Sequence, residues 1–312
     1  MKKTVWIFLL IGMLGCKNTK NPGEEPVTEG DTIQVATEKF VLPEIPALIV
    51  QPELRHEFLI EHYWDCFDFA DTAYTPSPEI TEQAWVEYIN LLRRTALPKA
   101  QQVIKTMILK SEQNKKLFLY FTDMAAKYLN EPNSPMRCEE LYIPVLEVMT
   151  QTPVLNDTEK MLPRHRLESA YRNRAGTRAI DFRYTDRAGK TGALYRMDAE
   201  YLLLFFNEPG CPSCKEHIES IRRSAVMNQF LSERRLTILS IYAGENMEEW
   251  KKYYANYPPG WINGYDPSST IEKRYDLRAI PTLYLLDKHK NVLLKDATFE
   301  EIENYLVRIY VM

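Results

Sequence analysis

The sequence predicts an α+β chain of two domains: an all-helical N-terminal domain, then an α/β domain built on a central mixed sheet. Three observations predict it. From Pro52 to about Thr177 apolar residues recur at helical spacing. Beyond that the pattern changes to short apolar runs. Two of these, YLLLFF at Tyr201–Phe206 and LTILSIY at Leu236–Tyr242, are continuous rather than alternating, as in strands buried on both faces. A chain of 312 residues is long enough for two such domains. The expected boundaries are a signal segment at 1–15, a tether at 16–45, the helical domain at 46–175 and the α/β domain at 176–312.

The N-terminus reads MKKTVWIFLLIGMLGC, with Lys2 and Lys3 ahead of an apolar run from Val5 to Leu14. That run is too short for a permanent membrane span and has the layout of a secretory signal. Its end, Met13-Leu14-Gly15-Cys16, resembles a bacterial lipobox. The resemblance implies that Cys16 becomes the lipidated first residue and that acyl chains hold the protein on a membrane. The formal charge is -4, and -6 without residues 1–15, whose charges are Lys2 and Lys3. That mild acidity argues against nucleic acid or an anionic membrane face as a partner. Residues 17–37 are polar with Pro and Gly, a tether composition. FVLPEIPALIVQP continues as extended chain, because prolines disfavour helix in the residues before them.

In the helical region, PELRHEFLIEHYWDCF puts Leu59, Tyr63 and Cys66 on one stripe. Ser77-Pro78 is a good helix start, and Ala84, Tyr88, Leu91 and Leu92 form the face that follows. LPKAQQVIKTMILK and KLFLYFTDMAAKYL are two further helices. Ser134-Pro135 is expected to open another, with Cys138, Leu141, Val145 and Met149 on one side and a kink at Pro144. Asn156 and Glu159 resemble a capping box for a last helix through about Arg174. Tyr63, Trp64, Asp65, Phe67 and Asp68 read as core with a wet acidic side, or alternatively as a recognition surface. Cys66 and Cys138 fall on apolar stripes, so buried free thiols are expected; a bridge between them is the alternative.

In the second region, β-type runs flank the turn Asp186–Lys190. After the strand at Tyr201–Phe206, residues 213–232 read as one helix. A helix from Asn246 to about Tyr254 follows the strand LTILSIY. PTLYLLD and VLLKDA read as an antiparallel pair turning at Lys288–Asn291, and FEEIENYLVRIY as a terminal amphipathic helix.

The chemistry is concentrated in NEPGCPSCKEH, where a strand runs into a helix start. Cys211 and Cys214 are two residues apart, so both sulfurs come into bonding range within one turn. The unpaired N–H groups and positive end of the helix favour a thiolate at Cys211. Cys211 is the expected nucleophile and Cys214 the resolving thiol. Pro212 removes an N–H and stiffens the turn, and Lys215 adds positive charge. A zinc site would need two more ligands, and none of the five histidines is suitably spaced from another. An inert staple closing so small a ring would stabilise little. No metal or cofactor is called for.

About 70 residues on, Ala279-Ile280-Pro281-Thr282 stands directly before the apolar strand LYLLD. With the cysteine pair, this resembles the thioredoxin-like superfamily, and within it the membrane-tethered TlpA/ResA-type oxidoreductases, over about Gly176 to Met312. The resemblance implies a cis bond at Pro281, with Ile280 and Pro281 lying against the pair to hold substrate backbone. Two positions depart from the pattern. Gly210 stands where the family usually has tryptophan, and Phe205 where thioredoxin has a buried acid. Glu208 is the nearest candidate for proton transfer, with a solvated loop glutamate as the plain alternative. His217, beyond Cys214 on the same helix, reads as a surface histidine.

Four stretches, EHYWDCFDFAD, KYLNEPNSPMRCEELYIPVLE, YRNRAGTRAIDF and LYLLDKHKNVLLKDA, resemble Bacteroidetes lipoproteins that join a helical domain of unknown function to a thioredoxin-like domain. The function these resemblances imply is thiol–disulfide exchange with exported, disulfide-bearing proteins, as a reductant recharged by a membrane thiol donor. The alternative is a non-catalytic binding or scaffold lipoprotein whose helical domain captures a partner. Lys17–Lys20 lacks an acidic run of the kind that resembles a surface-export signal, which favours a periplasm-facing outer-membrane lipoprotein.

Overall fold

The computed structural model describes residues 40–71, 74, 77–244 and 246–311. The signal segment, Cys16 and the polar part of the tether lie outside the described residues. The helical half contains α1 (Pro52–His62), α2 (Gln83–Leu92), α3 (Leu97–Ser111), α4 (Lys115–Ala125), α5 (Glu139–Gln151) and α6 (Met161–Tyr171). Its core is aromatic: Tyr63, Trp64, Trp85, Tyr88, Phe118 and Phe121 are all buried, while Asp65 and Asp68 are exposed. Phe40 closes this core by stacking on Tyr63 with ring centroids 5.4 Å apart. The segment around Trp64 is therefore core with a wet acidic side.

Local signals explain most of the helix ends. A π-helical turn at Pro78–Glu82 runs into α2, its first bonds going to the Ser77 carbonyl. Asn156 and Glu159 form the reciprocal capping pair, with N–H···O distances of 2.8 and 2.9 Å, one turn ahead of α6. That helix ends at Tyr171 rather than near Arg174, because Arg172 is extended and Asn173 left-handed, with φ of 52°. Pro144 lies within α5 and cannot donate to the Glu140 carbonyl one turn back. The Gln101 side-chain amide on α3 donates to that carbonyl instead, at 2.8 Å.

Two expectations for this half are corrected. Helix α1 stops at His62 in tight turns, with Asp65 N–H donating to the His62 carbonyl and Phe67 N–H to that of Trp64. The turns send Tyr63 and Trp64 into the core and leave Cys66 exposed rather than buried on a stripe. Helix α5 begins at Glu139, not at Ser134-Pro135. Cys138 N–H is held by the Leu129 carbonyl at 3.0 Å, so Cys138 takes an extended backbone as the N-cap and is half-buried. Both thiols are free.

The second half contains β1 (Arg183–Asp186), β2 (Thr191–Ala193), β3 (Tyr201–Asn207), α7 (Pro212–Arg223), α8 (Ala225–Ser232), β4 (Leu236–Tyr242), α9 (Met247–Tyr253), β5 (Ile262–Tyr265), β6 (Thr282–Asp287), β7 (Val292–Leu294) and α10 (Phe299–Val311). The sheet order is β2-β1-β5-β4-β3-β6-β7. Strand β3 is central, parallel to β4 and antiparallel to β6, which explains its unbroken apolar sequence. Helices α7, α8 and α10 pack on one face of the sheet; Phe182, Leu194, Ile271 and Tyr275 cover the other. The helix expected over 213–232 is two helices. Ser224 is extended, with ψ of 119°, and its hydroxyl caps α8 by accepting from Met227 N–H at 3.2 Å. Sequence patterning also does not reveal β5, a four-residue strand containing Asn263 and Gly264.

The two halves pack against each other through charged groups. Arg137 bridges Asp296 at 2.8 Å and Asp276 at 3.4 Å, and Lys295 meets Glu139 at 2.5 Å. Asn173 donates to the Arg274 carbonyl at 2.9 Å. Among the described residues, no helix is long and apolar enough to cross a membrane.

Candidate active site

Strand β3 delivers the chain to Asn207, and four residues later Cys211 caps α7. The cap is the thiol itself: Cys214 N–H donates to Cys211 Sγ at 3.1 Å. An N–H aimed at a sulfur stabilises negative charge that develops there. Pro212 occupies the first helical position and is exposed, where its missing N–H costs nothing. Cys211 is half-exposed, whereas Cys214 is only 4% exposed and belongs to the core beneath α7 with Phe205 and Ile218. Burial pushes the Cys214 thiol far above its ordinary range, and its contact with Cys211 adds to this; backbone hydrogen bonding from Glu208 opposes it. The helix entrance thus presents one reachable sulfur and one covered, protonated sulfur.

The Ile280–Pro281 peptide bond is cis. The Ile280 carbonyl oxygen lies 4.0 Å from Cys211 Sγ, so the segment 70 residues away in sequence is brought against the pair. Glu208 is exposed, and its carbonyl accepts from Cys211 N–H at 3.3 Å. His217 is half-buried on α7, and its Nδ1 lies 2.9 Å from the Ser213 carbonyl, which places the proton on that nitrogen. Lys215 is exposed. Among the described residues there is no cluster of three or more His, Cys, Asp or Glu able to hold a metal ion.

Both departures from the expected pattern have a structural basis. Phe205 is fully buried and packs edge-on against Trp261, with ring centroids 5.8 Å apart. Gly210 has φ of 75°, and a Cβ added there would meet the Tyr253 hydroxyl at 3.0 Å. A tryptophan at this position would be strained by the backbone and crowded by Tyr253.

Sequence reasoning missed the cover supplied by YYANYPPGW, between α9 and β5. Tyr257 packs against the core that contains the cysteine pair and donates its hydroxyl to Asn207 Oδ1 at 2.5 Å. Asn207 is buried, and its amide donates to Ser240 Oγ at 2.8 Å and to the Phe205 carbonyl at 3.0 Å. Burial pushes the Tyr257 phenol up, and negative charge on Cys214 and Cys211 would push it further. The run of aromatics broken by Pro-Pro-Gly was the available signal, but nothing in its spacing tied it to the cysteines.

Residues 15–173 match a family described as a domain of unknown function, DUF5106, and residues 198–292 match a thioredoxin-like family. The chain belongs to the DUF5106 family. The crystal structure of a thioredoxin-like protein from Bacteroides caccae is 52% identical to this DUF5106 protein, covering 87% of this chain and 99% of that one with a TM-score of 0.85. That likeness spans both halves, so the helical domain and the thioredoxin-like domain form one shared architecture. The C-terminal domain of an uncharacterized Bacteroides fragilis protein is 51% identical over 43% of this chain and 98% of its own, with a TM-score of 0.42. The thioredoxin domain of a thiol-disulfide oxidoreductase from Bacteroides vulgatus is 19% identical over 44% of this chain and 97% of its own, with a TM-score of 0.39. No curated protein matches the DUF5106 chain.

Proposed function

We propose that this protein is a thiol-disulfide oxidoreductase that exchanges disulfides with exported proteins, held on the periplasmic side of a membrane by lipid on Cys16. The observation that carries the reading is the pairing of Cys211 Sγ with the Cys214 N–H at 3.1 Å and with the Ile280 carbonyl at 4.0 Å. The Cys211 thiolate attacks one sulfur of a partner disulfide. The other partner sulfur leaves as a thiolate and takes up a proton, and a mixed disulfide remains on Cys211. Cys214 then gives up its proton and attacks Cys211 Sγ, and the second partner sulfur leaves as a thiolate. The protein has gone from dithiol to disulfide, and the partner from disulfide to two thiols.

Glu208, whose charge is felt at the Cys214 thiol, is the carboxylate assigned to take its proton, and Ile280 and Pro281 hold the partner's backbone. The working direction is reductive, which requires a membrane thiol donor to restore the dithiol. Couples of this kind span roughly -270 to -120 mV, so the direction rests on the TlpA/ResA resemblance rather than on the motif. The lipid anchor and an outer-membrane, periplasm-facing position rest on Lys2–Cys16 and on Lys17–Lys20. Labelling with a fatty-acid analogue tests them: Cys16→Ala is expected to lose both the label and the membrane fraction.

Insulin reduction by the wild type and by Cys211→Ser tests the chemistry. A wild-type rate well above that of the variant is expected; equal rates would remove the enzyme reading. One observation favours a binding module instead. Phe205 fills the site beneath the pair where an acid would take up the resolving thiol's proton. A binding module predicts equal, near-background rates together with partner capture by the helical domain.

A further inference from the structure

A cleft of about 510 Å³ opens beside Pro281, between the helical and thioredoxin-like domains. Its volume is typical of ligand clefts, roughly 300–1,000 Å³. Pro281 and His217 lie on one wall, and Pro135 and Cys138 on the other, with Ala175 from the connection between the domains at the edge. The walls are pinned to each other by Arg137 with Asp296 and by Lys295 with Glu139. The spacing between them is therefore a property of the folded protein.

Two relations indicate what the cleft holds. Ile280, whose carbonyl faces Cys211 Sγ, directly precedes Pro281, so a chain whose sulfur reaches Cys211 brings its neighbouring residues to the mouth of the cleft. The other relation is charge. Arg137 and Lys295 pair with Asp296 and Glu139 across the domain boundary, Glu140 pairs with Arg174, and the Glu301 carboxylate is held by the Thr298 N–H and hydroxyl at the start of α10. Arg93, also lining the cleft, is exposed; among the described residues its guanidinium donates to the Pro135 carbonyl at 3.3 Å and pairs with no carboxylate.

We infer that the cleft seats an extended polypeptide segment beside the cysteine being exchanged, with an acidic side chain meeting Arg93, so that the DUF5106 domain is the substrate-selecting wall. This rests on the reading of Cys211 and Cys214 as an exchange couple. The helical domain then presents a positive group and a fixed opposing surface to chains that the thioredoxin-like domain would otherwise accept indiscriminately.

The test measures exchange rates of the full chain with three disulfides. Two are peptides with acidic or with basic residues flanking the cysteine; the third is the small disulfide dithiobis-nitrobenzoate, which has no flanking chain. Wild type is expected to prefer the acidic peptide by about fivefold or more in kcat/KM, and Arg93→Glu to erase or reverse that preference. Ala175→Trp and Pro135→Trp, two exposed positions at separate points of the cleft, are each expected to lower the ratio of peptide to small-disulfide rates about tenfold. Ratios within about twofold of wild type in all three variants would overturn the inference while leaving the exchange couple standing. A wild type inert toward all three disulfides would overturn the exchange couple and the inference with it.

Discussion

Tyr257 donates its hydroxyl to Asn207 Oδ1 at 2.5 Å, joining the aromatic cover of the site to the end of β3. Tyr257→Phe would leave that buried oxygen without a partner. An orphaned buried acceptor costs about 1–3 kcal/mol. The variant should unfold at correspondingly lower denaturant with an unchanged m-value. An unchanged midpoint would mean that another donor takes the place of the hydroxyl.

The Gln101 amide occupies the Glu140 carbonyl that Pro144 leaves unpaired inside α5, at 2.8 Å. Gln101→Leu keeps the bulk and removes the donor, so a loss of about 1 kcal/mol is expected. Combined with Pro144→Ala, which restores an N–H able to reach that carbonyl, the same Leu substitution should cost markedly less. A double-mutant cycle on the denaturation midpoint reads this directly, and strict additivity of the two changes would show that they do not share the carbonyl.

The domain boundary should also make stability depend on pH. Burial pushes the Glu139 carboxyl up to about 7 against the pull of Lys295, with Asp296 adding repulsion and Arg137 attraction. Burial also raises Asp296, although Arg137 and Lys295 face it. Both groups bind protons more tightly when folded. The Glu139 contribution is therefore fully present below the ordinary carboxylate range and is lost as pH rises through about 7, and that of Asp296 is lost in the same direction. Asp276 has the opposite sign. Burial pushes it up, but hydrogen bonds from Arg278 together with the charges of Arg278 and Arg137 outweigh this and hold it low, so its contribution is lost only in acid. Wild type should lose roughly 2–4 kcal/mol between pH 5 and 8 from Glu139 alone. Glu139→Gln should flatten that slope, because Lys295 still donates to the Ala170 and Arg172 carbonyls. Denaturation midpoints at several pH values check this; equal slopes in the two proteins would exclude Glu139 as the source.

Elements whose signal is local were legible in the sequence. The β1–β2 turn, the unbroken strands β3 and β4, the capping pair Asn156–Glu159 and the strand-to-helix placement of Cys211 each depend on residues within a few positions. The missed features depend on contacts across the chain. Cys138 leaves the helix because the Leu129 carbonyl holds its N–H. The core takes Tyr63 and Trp64 at the end of α1 and leaves Cys66 outside. Strand β5 is short, and Asn263 and Gly264 give it little β propensity; its place between β4 and β1 makes it a strand. At the site, spacing indicated the two sulfurs, while the Pro281 segment came from the resemblance to thioredoxin-like proteins. Tyr257 and the cleft wall from the helical domain carry no periodic or motif signature.

The four described cysteines should separate by reactivity in the native, reduced protein. Cys66 and Cys211 present accessible sulfurs and should alkylate first. Burial pushes the half-buried Cys138 thiol up, so it carries less thiolate and should react more slowly. Cys214 is buried and pushed up further, so it should resist alkylation through pH 9 until the protein unfolds. Unfolding in denaturant without reductant should still label Cys66 and Cys138, because both are free; recovery of a peptide joining the two would show that they are bridged. Oxidation should remove the label from Cys211 and Cys214 together. Loss of one without the other would mean that the sulfurs do not pair, because closing the bond consumes both thiols at once.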